Sequence, residues 1–159
     1  MQGQHSVCAD QYRLVMSSRD TLFGYCDTIV PEDLLRAQLP FGRGGSIRNL
    51  LVHNVNTYQH WVLNVGLHRK VSYTEYNSVK TVAEIAELFK PINEGVFTLI
   101  KFADQLAQEE SYDRNGSQTT VSRLTIFTHV ITHEFHHKGQ ILSLSRALGY
   151  TPIDTDVIR

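Results

Sequence analysis

Two histidines four residues apart, His133 and His137, carry the strongest chemical signal in this sequence. They stand in the run His129-Val-Ile-Thr-His133-Glu134-Phe135-His136-His137-Lys138-Gly139-Gln140. On a helix, one turn brings both rings to the same face, where they can reach a single ion at ~2.0–2.1 Å if that ion is zinc. His136 is offset from His137 by about 100° and belongs to a pocket wall or a neighbouring helix rather than to the pair.

The string HEFHH also satisfies H-E-x-x-H, in which Glu134 would act as general base toward a metal-bound water. A hydrolase of that type takes its third ligand, His or Glu, from farther along the chain. Residues 138 to 159 contain neither, only Asp154 and Asp156. The third ligand is therefore sought upstream, among His5, His53, His60, His68 and His129. His5 falls in a terminus expected to fray, and His68 follows a helix end beside Arg69 and Lys70, so both are expected at the surface. His53 lies in the apolar stretch LLVHNV, where an unpaired imidazole is costly to bury and a metal or hydrogen-bond partner offsets the cost. His60, seven residues on, is the rival choice. His129 is assigned to pocket lining or to support of a ligand. Three imidazoles suit zinc, nickel, copper or iron, and Zn2+ or Ni2+ is the expected ion.

Four helices are expected to position these groups. The first runs from about Val7 to Thr28 and stops ahead of Pro31. PEDLLRAQL is a short acidic and apolar piece, and FGRGG after it is irregular. Arg43 and the backbone amides of that loop have the makings of an anion site, but the phosphate-loop pattern is missing and a turn is the expected reading. Ser46 caps the second helix, which carries His53 and ends at Gly66. The third begins near Thr81 and continues through Ala107, kinked at Pro91. The fourth spans about Thr120 to Leu148, with Gly149 as its stop. Gly139 within it suggests close approach of another helix, and Asn115-Gly116 reads as a tight turn. About 14 residues join helices two and three, enough to cross the length of a bundle. That length permits up-down-down-up order as readily as simple alternation, and the former is the expected architecture.

Composition narrows the function classes. The 159 residues, 42 % hydrophobic and 19 % charged, suit a single soluble domain over residues 1–159. No apolar run approaches the ~20 residues that span a bilayer, and MQGQHSVCADQYRLV lacks the features of a secretory signal, so a cytoplasmic protein is expected. Fifteen basic and sixteen acidic residues without a basic stripe disfavour nucleic acid as partner. Cys8 and Cys26 on one helix would lie ~27 Å apart, too far for a disulfide, and are expected to be packing residues. Tyr58, Trp61 and Phe135 are expected in the core or lining the pocket.

The segments SIRNLLVHNVNTYQHWV and HVITHEFHHKGQILSLSRALG resemble the DinB/YfiT-like family of metal-binding four-helix bundles. The second is the more specific, because the family shows a His, then Glu, then His-His-Arg-Gly-Gln near its C-terminus. Lys138 stands here where that pattern has Arg. The resemblance implies metal ligation by His53, His133 and His137, with water or substrate at the remaining positions. It also implies homodimers and transfer or isomerisation reactions in which a low-molecular-weight thiol attacks an electrophilic small molecule. The alternatives are a metal-stabilised binding or stress-response module without turnover and, last, a hydrolase using Glu134.

Overall fold

Short polar side chains at three positions decide where the long helices start. The computed structural model describes residues 7–37 and 45–159. In it, α1 spans Val7–Cys26, and Pro31 opens the five-residue α2, Pro31–Leu35, where its missing N–H costs nothing. Ser46 accepts from the Asn49 N–H and starts α3, Ile47–Tyr58. Thr81 and Glu84 form a reciprocal capping box at the head of α4, Val82–Leu99, which passes through Pro91 without a break. Ser122 caps α5, Arg123–Ala147, and Gly149 at φ 95° closes it. There the Gly149 and Tyr150 N–H groups bond to the Arg146 and Ser145 carbonyls at 2.9 and 3.0 Å, the Schellman pattern.

The second helix changes pitch at its far end. Beyond Tyr58 it continues as a π-helix, Gln59–Gly66. Such wider turns recur at functional sites because they re-aim the side chains after them. Gly95 of α4 faces this segment, and a Cβ there would collide with Leu63. The Leu63 side chain would have to move to admit it. Gly139 is the opposite case: a Cβ there would meet open space, so among the described residues no helix makes the expected close approach at that position.

The expectation of an all-helical chain needs correction between residues 99 and 123. The third helix ends at Leu99 rather than reaching Ala107, because Leu99 and Ile100 are its last residues in the core and Phe102 is already exposed. The fourth starts at Arg123 rather than Thr120. Between them, β1 (Glu109–Arg114) and β2 (Ser117–Ser122) pair antiparallel across Asn115-Gly116. Positive φ at both turn residues, 55° and 84°, is the geometry that favours Asn-Gly. The turn was legible and the strands were not, because the hairpin buries too little to show apolar alternation. One of its inward residues is a glutamate: Glu110 is 4 % exposed and accepts from Gln108, Arg123 and His68 at 3.0, 2.8 and 2.8 Å. The protein is mostly helical with one small two-stranded sheet.

Helix α3 packs on both α4 and α5, and α1 packs on the same two. Leu50, Leu51 and Val55 meet Ile85, Phe89, Ile92, Ile126, Phe127 and Val130 in a core closed by Tyr12 and Leu22. Cys8 and Cys26 are both free thiols, and burial pushes the Cys26 thiol up to about 12, which removes it as a nucleophile. No helix among the described residues is long and apolar enough to cross a membrane.

Candidate metal centre

Helix α5 presents His133 and His137 one turn apart, and α3 lays His53 against them. The His133 and His53 Nε2 atoms are 3.0 Å apart, as are those of His133 and His137. One ligand atom from each of the three lies within 4.8 Å of the others. His53 and His133 are half-buried and His137 is buried, so the cluster is partly accessible.

Three imidazoles so placed are a donor set that suits a cation. The Nδ1 of His137 lies 2.6 Å from the Gln140 Oε1, so Nδ1 carries a proton and donates it there, and Nε2 is turned toward His133. Burial, then His137 and His53, lower His133 to about 4, so its ring is neutral at pH 7. A neutral imidazole nitrogen either donates one hydrogen bond or accepts one. The His133 Nε2 carries at most one proton and so cannot donate to both nitrogens that lie 3.0 Å from it. A cation can take one ligand nitrogen from each ring, and imidazole is a ligand type that zinc, nickel, copper and iron share.

The remaining histidines are elsewhere. His60 is outside the cluster, its Nδ1 2.8 Å from the Tyr73 hydroxyl. His129 stacks between Trp61 and His133, with centroids 5.3 and 5.4 Å away. His136 is exposed and meets the Gln140 Nε2 at 3.3 Å. His68 is largely exposed, as expected, although it bonds to Glu110. His5 and Arg43 lie outside the described residues.

Glu134 has its back to the histidines. Its carboxylate is 2 % exposed and is gripped by Arg19, Nε to Oε1 at 2.7 Å and NH2 to Oε2 at 2.8 Å. The Tyr58 hydroxyl adds a third bond at 2.6 Å. Burial first, then Glu134, raises Tyr58 well above its ordinary range, so the phenol keeps its proton and donates it. Arg19 also donates to Asn93 Oδ1 at 2.9 Å and lies over the Phe89 ring at 4.0 Å. A carboxylate so occupied cannot take a proton from water at the cluster. Lys138, the position where the family motif has Arg, is 3 % exposed and donates to Ser18 Oγ and, at 2.9 Å, to the Thr155 carbonyl. It ties the C-terminal segment to α1. Sequence reasoning missed Arg19, Asn93 and Gln140. Only Gln140, three residues after His137, had a local signal, since that spacing places it beside the imidazole.

A cleft of about 430 Å3 begins at His53 and is lined by Asn56, His60, Trp61, Tyr73 and Tyr76. Of the three aromatics named from the sequence, Trp61 lines this cleft. Tyr58 is wholly in the core, and Phe135 lies under the Lys138 ammonium at 3.6 Å on another face.

The uncharacterized protein YizA of Bacillus subtilis (strain 168) is 24 % identical over 145 residues, covering 88 % of this chain and 87 % of YizA. The crystal structure of a DinB-like protein, YjoA of Bacillus subtilis, superposes with a TM-score of 0.58 at 18 % identity over 89 % of this chain and 95 % of that one. That likeness is one of fold. The model of the DinB family matches residues 3–159, and the chain belongs to the DinB family.

Proposed function

We propose that this chain holds a divalent cation, Zn2+ or Ni2+, on the Nε2 atoms of His53, His133 and His137, and joins a low-molecular-weight thiol to an electrophilic small molecule. The observation that carries the reading is the convergence of those three nitrogens at the mouth of a cleft. A bound ion would hold the thiol as thiolate and make it a nucleophile at neutral pH. The chain's own residues do the rest. Gln140 fixes the tautomer of His137, His129 packs between His133 and Trp61, and Trp61 and Tyr76 give the carbon skeleton an aromatic surface. Hydrolysis through Glu134 has no support, since both carboxylate oxygens are occupied by Arg19 and Tyr58.

The same reading takes the four long helical segments as an up-down-down-up bundle, acting as a homodimer in the cytoplasm. The pairing of α1 and α3 each with α4 and α5 supports the bundle. The test is metal analysis of protein purified without a histidine tag, followed by thiol-consumption assays with epoxide and chlorinated electrophiles. Near-stoichiometric metal and thiol loss that vanish in His133→Ala are expected. Metal that survives both His53→Ala and His137→Ala overturns the site. Metal without consumption of any common bacterial thiol points instead to a binding module.

A further inference from the structure

The connection after the π-helix delivers a second pair of proton-carrying groups to the cleft. The Tyr73 hydroxyl is 2.8 Å from the His60 Nδ1, and both side chains line the cavity that starts at His53. The contact is built by the backbone beneath it. Asn64 bonds to both the N–H and the carbonyl of Val71, at 2.6 and 2.9 Å, and Asn56 does the same for Thr74, at 2.8 and 3.0 Å. Gln59 adds two more bonds to Thr74. Three amides on one helix thus pin the strap on either side of Tyr73. His60 is fixed in turn by the edge of Trp61 at 4.8 Å, and Trp61 by Tyr112 of the hairpin at 5.0 Å.

Burial, then His129, lowers the His60 pKa, so the ring is neutral at pH 7 and carries one N–H. With that proton on Nδ1, His60 donates to the Tyr73 oxygen and the phenolic proton is left to turn into the cleft. Tyr73 is 53 % exposed and accessible to a ligand there.

We propose that Tyr73, backed by His60, is an oxyanion-binding hydrogen-bond donor for a small aromatic molecule in this cleft. The Tyr73 O–H donates to an anionic oxygen of that molecule while the His60 Nδ1–H donates to the phenolic oxygen, and no proton leaves any of the three groups. Trp61 and Tyr76 in the same wall set the aromatic class. The inference uses the cleft of the metal reading but does not need the ion.

Calorimetric titration of the full chain, with and without chelator, with 4-nitrophenolate and with 4-nitroanisole tests it. The phenolate is expected to bind ~10-fold tighter than the ether, about 1.4 kcal/mol. That preference is expected to disappear in Tyr73→Phe, weaken in His60→Ala and persist in His133→Ala. Nitrogen NMR of the phenolate complex is expected to show His60 protonated on Nδ1. Equal affinities, a preference that survives Tyr73→Phe, or the opposite tautomer overturn the proposal. A preference lost on chelation or in His133→Ala assigns the oxyanion to the three histidines and overturns it equally. Failure to find metal leaves this result intact, so the two readings fail separately.

Discussion

One helical turn of α5 has two faces with opposite electrostatic logic. Toward α3, the Nε2 atoms of His133 and His137 converge with that of His53. On its other side, Glu134 meets Arg19 of α1 and Tyr58 at the end of α3 with donors and acceptors matched. The first face is half-open and suits a cation from outside; the second is closed and carries its own counter-charge. A buried ion pair with every hydrogen bond made holds helices in register, whereas ligand nitrogens converging at a cleft make a binding site. The second face sets the frame in which the first can stay incomplete.

The sharpest way to break that contrast is to remove one member of the closed face. Arg19→Met is expected to destabilise the fold by about 3–5 kcal/mol, because it strands a buried carboxylate, and urea unfolding reads the loss. Arg19→Met combined with Glu134→Leu is expected to cost less than the single change, and a strictly additive double variant would show the pair to be uncoupled. On the open face the outcome reverses. His133→Ala is expected to abolish stoichiometric metal while leaving the metal-free unfolding midpoint close to that of the parent chain, as followed by metal analysis beside the same urea curves. Gln140→Leu is expected to weaken metal binding roughly 10–100-fold through loss of the His137 orientation, measured by competition with a chelating dye. The smallest effect belongs to the hairpin. Gly116→Ala, at φ 84°, is expected to cost about 1–2 kcal/mol of local stability, visible as faster amide exchange in β1 and β2 with the metal site unchanged.

Legibility in the sequence followed the range of the interaction. The caps at Ser46 and Thr81, the stop at Gly149 and the Asn115-Gly116 turn are local devices and are where the residues placed them. The hairpin strands escaped notice because their pairing is cross-strand and their buried residues include a glutamate. Arg19 carried no signal at all, since its partners lie 115 residues away on α5 and 39 away on α3.

The same division runs through the histidine cluster. That His133 and His137 share a face follows from a spacing of four on one helix, and the chain determines it without help from the rest of the fold. The choice of His53 over His60 does not follow from spacing. Both lie on the second helix, but its pitch widens after Tyr58, and the strap at residues 71–74 draws His60 to Tyr73 while α3 packs His53 onto α5. Nor does H-E-x-x-H reveal which way its glutamate faces. A residue next to a ligand on a helix turns away by about 100°, and what it then meets is decided by the helix that packs there, which in this protein brings Arg19.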